Sequence, residues 1–343
     1  MTARHDGPKG APSSGEAPPL PARVFARLAD GRFHSGETLA GALGVSRGAV
    51  WKAVQALRAA GAAVHAVPNR GYRLPQAGEP LDAERIRAQL PLAARSAVRS
   101  LEVLWQTEST NSVLLARPNP PFGASDIALA EYQTAGRGRR GRAWLAPPGG
   151  AVCLSLSWSF REVPPDLGAL SLAVGVCVLR ALKEVGLSAR LKWPNDILVE
   201  ERKLGGILIE LRAESAGPAC VVIGIGLNAA LGEALLRQIA TLGLPATDLA
   251  SAGVAISRNI VTSAMIAQVL RGLQEFERES LRPFIEEWRT ADALRGNEVS
   301  VHTTTQTIRG VARGIDLHGA LLVETPQGVR RFISGEVTVR PAL

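Results

Sequence analysis

Seven consecutive residues, Gly136 to Arg142, contain four arginines and three glycines, and an apolar run follows them. Arginine presents a planar fork of donors that suits phosphate and carboxylate groups, whereas glycine lets the backbone come close to a ligand. The segment lies between two predicted strands, residues 125–135 and 150–160, so it is a loop of a packed domain and not a tail. We interpret it as a loop that folds over an anionic ligand. A solvated Gly/Arg segment and a nonspecific nucleic-acid contact are the alternatives, while the phosphate-binding pattern GxxxxGK[ST] does not occur.

Residues 189–212 predict a β-hairpin with its turn at Glu200–Arg202. Strand alternation places Lys203, Gly205 and Ile207 on one face of this hairpin. Glycines beside a lysine leave room for a ligand to lie on the backbone. Lys203 alone would be read as a solvated turn residue, but beside the glycines and the arginine loop we interpret it as binding a phosphate or carboxylate.

The segment Gly224–Ala229, GIGLNA, follows a predicted strand and resembles a weak GxGxxA dinucleotide fingerprint, with Asp248 about 20 residues later. A dinucleotide fold needs a buried strand after the helix, and residues 245–257 do not predict one. We interpret Gly224 and Gly226 instead as keeping a ligand-binding face clear, with Asn228 in contact with the ligand.

Ser109, Thr110 and Asn111 are predicted to begin a helix. Simple capping of that helix is one interpretation. The exposed N–H groups and hydroxyls of a helix start can also bind a carboxylate or a polar heterocycle.

The composition predicts a globular protein of two or three domains, because the 343 residues are 46% hydrophobic. The three cysteines are far apart without a CxxC pair, and HExxH is absent, so we expect neither disulfides nor a bound structural metal. The sequence has no signal-peptide pattern and no apolar stretch of about 18 residues. We therefore expect a soluble, cytoplasmic protein without membrane contact.

The net charge of +8 is concentrated in two places. Residues 23–75 hold eight Lys and Arg against two acidic residues, and the arginine loop adds four more positive charges. Two separate basic regions predict two different anionic partners.

Residues 1–21 contain five prolines and predict a disordered tail, and residues 22–76 predict a winged helix-turn-helix. Its helices are predicted at about 22–30 and 36–43, with a third capped by Ser46, and a basic hairpin follows. A protein-interaction module is the alternative. The residues predicted to bind DNA are Arg47, Trp51, Lys52, Gln55, Arg58, Arg70 and Arg73.

The rest of the chain predicts a linker at 75–82, a mixed α/β domain at 83–290 and a small β-barrel at 294–343. The α/β domain includes a long buried helix within 167–186 and two later helices, 261–280 and 283–292. The barrel is predicted from four alternating segments, the last of them residues 329–340.

Five motifs occur in order, STN, EYQTAGRGRRGR-W, KWPND, RKLGGIL.E and IGIGLN. Their sequence and spacing resemble those of the biotin–protein ligases. The N-terminal winged helix resembles that of the bifunctional members, which also repress the biotin biosynthetic operon. The resemblance covers about residues 22–343.

The resemblance implies a multi-domain α/β (α+β) fold. Its ligase domain would be related to class II aminoacyl-tRNA synthetases and followed by an SH3-like barrel. It implies synthesis of biotinyl-5′-AMP from biotin and ATP with Mg²⁺. Biotin would then pass to a lysine of biotin carboxyl carrier protein, an acetyl-CoA carboxylase subunit. It also implies binding to operator DNA as a homodimer, with biotinyl-5′-AMP as corepressor.

The resemblance also implies roles for individual residues. The residues implied for biotin are Ser109, Thr110, Asn111, Gln133, Gly136, Arg137, Gly138, Arg139, Lys203, Gly205, Gly206 and Gly224. Those implied for ATP are Arg139, Arg140, Arg142, Asn195, Asp196, Lys203, Asn228 and Arg340. The catalytic set is Lys203, Arg137, Arg139 and Asp196.

Residues 229–255 depart from the family pattern, because they contain no aromatic residue where well-studied members place a tryptophan. We expect an aliphatic side chain, Leu235, Leu236 or Leu244, to pack on the adenine. A lipoate–protein ligase and a winged-helix regulator that only senses a ligand are the alternatives. The RGRRG loop argues against the first, and the presence of Lys203 and Asp196 with Arg137 argues against the second.

Overall fold

The computed structural model describes residues 17–75, 79–212, 219–241, 245–303 and 306–333, and the backbone of 338–341. Most of the predicted tail, residues 1–16, lies outside the described residues, as do Leu244 and the side chain of Arg340. Across the described ranges, no helix is long and apolar enough to cross a membrane.

The N-terminal unit forms around the apolar face of its third helix. Its elements are α1 (Leu20–Leu28), α2 (Gly36–Leu43), α3 (Arg47–Ala59), β1 (His65–Val67) and β2 (Gly71–Arg73). Val50, Val54 and Leu57 of α3 are fully buried, and Ser46 caps the helix by accepting from the Ala49 N–H. The two strands pair as an antiparallel hairpin, so the predicted winged helix-turn-helix is confirmed.

The first helix begins earlier than predicted. Leu20 and Pro21, assigned to the tail from the sequence, form the first turn of α1. Proline is tolerated there because the first-turn N–H groups have no partner within the helix, and its fixed φ suits the helical conformation.

Described strands of the central unit form one mixed sheet in the order β3-β4-β5-β9-β8-β7-β6. Its first elements are α4 (Ala83–Gln89), α5 (Leu92–Ala97), β3 (Val98–Thr107), α6 (Thr110–Leu115), β4 (Ser125–Gln133), β5 (Ala151–Ser159) and α7 (Leu170–Glu184). Those that follow are β6 (Arg190–Lys192), β7 (Asp196–Val199), β8 (Arg202–Arg212), β9 (Cys220–Asn228), α8 (Glu233–Ala240), α9 (Arg258–Glu279) and α10 (Ile285–Ala291). Only β3 and β4 are parallel among the described pairings of this sheet.

The predicted hairpin at 189–212 contains one more turn than expected. Its second turn is at Glu200–Glu201, where both residues have positive φ, and it lies within the predicted Glu200–Arg202. KWPND, however, forms a tight turn that separates β6 from β7, with a cis Trp193–Pro194 bond. Proline cannot donate to a strand ladder, and the strand irregularity that Pro194 predicts is a full turn between two strands.

Helices α7 and α9 cover one face of the central sheet and build the main core. Ile127 and Leu129 of β4 point into this core, whereas Ala128 between them packs with Leu114 of α6 on the opposite face. The α6 face is therefore the one left available for a ligand.

The C-terminal unit is an antiparallel sheet of the described strands in the order β13-β12-β11-β10-β14. The strands are β10 (Glu298–His302), β11 (Thr307–Ile315), β12 (Leu321–Thr325), β13 (Gly328–Phe332) and β14 (Thr338–Pro341). The predicted single strand at 329–340 was wrong, because it is two strands on opposite edges. The unit contacts the KWPND turn through Trp193 Nε1, which donates to Gly319 O at 3.0 Å.

A buried ion pair fixes the segment that leads into the central unit. Arg258 and Glu131 are 4% and 5% exposed, and their side chains meet at 2.8 Å. Glu131 also accepts from the Leu81 N–H at 2.5 Å, and Arg258 donates to Glu79 O at 3.0 Å. The last part of the predicted linker is therefore packed against β4 and α9.

We expect Arg258→Met to destabilise the protein by about 3–5 kcal/mol, because it leaves the Glu131 carboxylate buried without its partner. Urea unfolding followed by tryptophan fluorescence measures this loss. Arg271→Met is the matched control: Arg271 also pairs with a glutamate but is 71% exposed, so its loss should cost less than about 1 kcal/mol. Equal effects of the two substitutions would contradict this prediction.

Candidate active site and nucleic-acid interface

Small residues line the α6 face of the central strands. Ala128, Cys153 and Ser155 lie on this face, followed on the neighbouring strands by Gly224 and Gly206. Burial raises the pKa of the Cys153 thiol to about 12, so this group stays protonated at neutral pH. The face therefore offers space and hydrogen-bonding groups rather than a nucleophile.

The start of α6 is held against this face by a polar cluster. Ser109 precedes the helix but makes no side-chain cap hydrogen bond. Gln133 Oε1 accepts from Thr110 N at 2.8 Å, and Ser155 Oγ lies 2.7 Å from Thr110 Oγ1 and 2.5 Å from Asn111 Oδ1. Four of the residues predicted to bind biotin are thus together, and three of them, Ser109 to Asn111, are buried.

The arginine loop is a small hairpin rather than an irregular segment. Gly136 O accepts from Trp144 N at 2.8 Å, and the Gly138 N–H donates to Arg142 O at 2.7 Å. Gly136 is needed for close packing, because a Cβ would come 2.6 Å from Trp144 O. Arg140 at the tip has a positive φ of 58°. The loop therefore has a defined conformation over the site.

The side chains of the loop project in different directions. Arg137 Nη2 donates to Ser112 Oγ at 2.8 Å, while Arg142 is exposed. Burial lowers the pKa of the Arg139 guanidinium from its ordinary value, the charges of Arg140 and Arg142 add to this effect, and Asp196 opposes it. An anionic ligand beside Arg139 would offset the burial and the repulsion between the arginines.

Lys203 lies on the same face as Gly206, not Gly205, so the predicted face was wrong. Leu198 pairs with Lys203 and Ile197 with Gly205, which makes Leu204 an extra residue. This β-bulge reverses the alternation that period-two counting assumes. A Cβ on Gly205 would meet Gly226 O at 2.7 Å, whereas Gly206 lies beneath the Lys203 ammonium.

Lys203 and Asp196 form the charged pair of the site. Their Nζ and Oδ1 atoms are 2.6 Å apart, and both side chains are partly exposed. A Cβ on Gly206 would lie 3.4 Å from Lys203 Nζ, so this glycine leaves the position of the ammonium open. Trp144 lies to one side, with its ring centre 6.0 Å from Nζ.

Gly224 and Gly226 make room for protein side chains, which corrects the expectation that they keep the face clear. A Cβ on Gly224 would come 2.5 Å from Asn111 Oδ1, and one on Gly226 would come 2.5 Å from the Trp144 indole. The two glycines therefore admit Asn111 and Trp144 to the sheet surface.

Both asparagines implied for ATP bind protein carbonyls. Asn195 Nδ2 donates to Ile207 O at 2.7 Å, and Asn228 Nδ2 donates to Thr247 O at 2.9 Å.

Asp248 accepts from Leu231 N and Ser251 N, a turn-stabilising role. β9 is antiparallel to both neighbours, so the dinucleotide-fold alternative for GIGLNA is excluded. Leu235 and Leu236 are half-buried on α8.

The third helix of the winged unit presents part of the predicted DNA-binding set to solvent. Arg47, Trp51 and Lys52 are exposed, with Trp51 at 55%. Arg58 is exposed as well, although its guanidinium donates to Val64 O, whereas Arg73 is half-buried and donates to Gly31 O. Arg70 lies over the Phe33 ring at 4.2 Å. Gln55 is half-buried.

The sequence interpretation gave no role to Ser155 or to Glu210, the last residue of the RKLGGIL.E motif, and both contact Asn111. Glu210 Oε2 accepts from Asn111 Nδ2 at 2.7 Å. Two signals could have indicated them: serines at alternate positions of an otherwise apolar strand, and one carboxylate in the apolar strand that follows Lys203.

Fold and site together define a class: a winged helix-turn-helix joined to an α/β unit with a cationic ligand-binding site. Family models agree, with an HTH domain at residues 23–73 and the biotin/lipoate A/B protein ligase family at 103–228. The biotin protein ligase C terminal domain matches residues 296–340.

Relatives along nearly the whole chain define the family more closely. The bifunctional ligase/repressor BirA of Salmonella typhimurium is 37% identical, over 94% of this chain and 98% of the relative. The BirA of Bacillus subtilis is 33% identical, over 90% and 94%. This chain belongs to the biotin–protein ligase family, among the bifunctional ligase/repressors.

A solved structure has a similar fold over most of this chain. The biotin protein ligase of Aquifex aeolicus in complex with biotin and ATP matches with a TM-score of 0.61 and 28% identity. It covers 71% of this chain and 100% of that one.

We expect Gly224→Ala to lower the free energy of unfolding by about 1–3 kcal/mol, because the new methyl group would displace Asn111 from its polar cluster. Gly206→Ala is the control, since its Cβ would meet the flexible end of Lys203 at 3.4 Å and Asp196 Oδ1 at 3.7 Å, which are ordinary contact distances. Urea unfolding of both variants measures the difference. A larger loss for Gly206→Ala would show that Asn111 is not tightly held.

Proposed function

We propose that this chain is an ATP-dependent biotin–protein ligase and a repressor of biotin synthesis genes that uses biotinyl-5′-AMP as corepressor. The observation that carries the ligase proposal is the Lys203–Asp196 pair above Gly206, beside the arginine loop and the polar start of α6. This arrangement supports the proposal, because two anionic substrates that react with each other need cations close to both.

In the first reaction, the biotin carboxylate attacks the α-phosphate of ATP, and pyrophosphate leaves. Both reactants are anionic, so Lys203 and Arg139 would offset their repulsion and the charge that develops at phosphorus. Mg²⁺ enters as part of the MgATP substrate. Thr110, Asn111 and Gln133 would orient biotin, and Asn195, Asp196 and Asn228 would border the nucleotide.

In the second reaction, the amine of a carrier-protein lysine attacks the biotinyl carbonyl, and AMP leaves. The mixed anhydride is easily hydrolysed before that step. The arginine loop would cover the intermediate and exclude water until the carrier lysine arrives. A lysine of biotin carboxyl carrier protein is the proposed acceptor, and the cytoplasm is the proposed location.

The proposal also includes finer features of the fold. Likeness to class II aminoacyl-tRNA synthetases, closure of the C-terminal sheet into an SH3-like barrel and domains at 22–76, 83–290 and 294–343 are expected from the family. Contact of Arg340 with the nucleotide is likewise a prediction, as is packing of Leu235 or Leu236 on adenine.

Biotin-dependent ATP–pyrophosphate exchange tests the ligase directly. We expect exchange with biotin and much weaker exchange with lipoate. Subsequent transfer to a biotin carboxyl carrier domain should label one lysine. Preference for lipoate would make the chain a lipoate–protein ligase, and no exchange with either acid would leave a ligand-sensing regulator.

We expect Lys203→Met to reduce biotin-dependent exchange about 10²- to 10³-fold, because one cation that stabilises the transition state is lost. Arg202→Met is the control: the neighbouring side chain also pairs with a carboxylate, Glu200, but lies outside the site. Exchange rates at saturating biotin measure the effect. Near wild-type exchange by Lys203→Met would remove this residue from the catalytic set.

The winged unit is proposed to bind operator DNA through α3 and the hairpin. Arg47, Trp51 and Lys52 are exposed on α3, the helix that would contact the major groove as the recognition helix. The exposed cations supply phosphate contacts, and Trp51 adds an apolar surface.

We expect Lys52→Ala to weaken DNA binding and to reduce the slope of log affinity against log salt by about 1, because each phosphate contact releases counterions. Fluorescence anisotropy with duplex DNA at several salt concentrations provides the measurement. Arg271→Ala, which removes an exposed arginine of the central unit, should leave the slope unchanged. Equal slopes for Lys52→Ala and wild type would move the DNA site away from α3.

We expect biotinyl-5′-AMP to strengthen homodimerisation about 5- to 150-fold, since one winged helix makes few base contacts and two would bind a palindromic site together. The ligand would hold the arginine loop in its hairpin conformation more of the time and so lower the entropic cost of dimerisation. Sedimentation equilibrium with and without biotinyl-5′-AMP measures the coupling. Equal dimerisation constants would mean that this chain does not sense biotin through dimerisation.

A further inference from the structure

Arg137, which the family resemblance implies for biotin, is turned toward the protein. Its Nη2 donates to Ser112 Oγ on α6 at 2.8 Å and lies 3.9 Å from Glu210 Oε1 on β8. The backbone of Arg137 is also bridged to Ala143 across the loop hairpin. One side chain therefore ties the arginine loop to two elements of the site.

The two oxygens of Glu210 have different neighbours. Oε2 accepts from Asn111 Nδ2 at 2.7 Å, whereas Oε1 faces the Arg137 guanidinium. Asn111 is 3% exposed and is also held by Ser155. Glu210 thus connects a rigid, buried group of the ligand face to the loop that covers it.

The contact between Arg137 and Glu210 is accessible to water. Arg137 is 47% exposed and Glu210 is 29% exposed, and ion pairs this accessible to water contribute little to stability. Asn111, by contrast, is enclosed. The loop can therefore detach from Glu210 without disturbing the buried end of the same carboxylate.

We propose that Ser112 and Glu210 form a latch for Arg137 that holds the arginine loop closed, so that they are positioning residues for retention of the acyl-adenylate. This inference rests on the proposed ligase function. The latch acts on the loop and not on substrate: closure keeps the mixed anhydride away from water and from lysines other than the acceptor's. Its strength would set how much intermediate escapes.

Each of the two contacts of the latch can be weakened separately by a substitution. In Glu210→Gln the side-chain oxygen can still accept from Asn111, but the negative charge that faces Arg137 is gone. Ser112→Ala removes the hydrogen bond at the other contact with little change in volume. Glu102→Gln is a matched control, because the Glu102–Arg117 pair is similarly exposed, at 32% and 31%, and does not touch the loop.

Release of biotinyl-5′-AMP from the full-length protein is the first test, with wild type, both single variants, the double variant and the control. In the presence of biotin and MgATP without acceptor, hydroxylamine traps the released intermediate. We expect about 2- to 5-fold more release from each single variant, with the double variant less than additive because both act through Arg137. The KM for biotin in pyrophosphate exchange should stay within about 2-fold, since neither change touches substrate.

Salt gives a readout that a purely structural role would not change. Release from wild type should rise with KCl as the ion pair is screened, whereas Glu210→Gln should respond less. Trypsin offers a second readout without substrates, because cleavage within residues 137–142 should be faster in both variants than in Glu102→Gln.

Release and tryptic cleavage equal to those of the control would overturn the latch. So would a raised biotin KM with unchanged release, since that result would confine Glu210 to supporting Asn111. If wild type shows no biotin-dependent exchange, the proposed function fails and the latch fails with it. Normal exchange with unaltered release overturns the latch alone.

Discussion

The buried pairing of Glu131 with Arg258 joins the segments on which the site depends. Arg258 donates to Ala151 O, where β5 begins after the arginine loop, and Glu131 lies two residues before Gln133 on β4. Removing two charges from water is costly unless each finds good partners, and here backbone groups from Glu79 and Leu81 supply more of them. One polar cluster therefore holds the base of the arginine loop, the ligand face of the sheet and the segment that leads in from the winged unit.

The two faces of the central sheet differ: one packs against the core helices and the other is open to a ligand. The α7 and α9 face carries large apolar side chains, while the α6 face carries alanine, serine and glycine. Small residues allow Asn111 and Trp144 to reach the sheet surface, and these side chains then border the space around Lys203. The site therefore depends on the small residues of the strands, which leave space, as well as on the side chains that fill part of that space.

Charged side chains also link the site to the arginine loop. Arg139 is buried enough for its pKa to fall, Lys203 is paired with Asp196, and Arg137 faces Glu210. Burial and the neighbouring arginines disfavour the charged form of Arg139, and an anionic ligand beside it would offset this effect. A contact also joins this region to the winged unit, since Phe25 packs against Trp105 of β3 and Trp105 against Tyr132, the neighbour of Gln133.

Local patterns in the sequence determined the winged helix, the strands around the arginine loop and the motifs that identify the family, because periodicity and spacing are properties of the chain itself. Strand alternation failed at Lys203, since a bulge depends on pairing with β7, and the fourth C-terminal segment was two strands for the same kind of reason. Only the tertiary structure decided that Gly224 and Gly226 admit Asn111 and Trp144, that Ser155 and Glu210 hold Asn111, and that Arg137 turns toward α6. These contacts join residues up to about a hundred positions apart, and no local pattern encodes such distances.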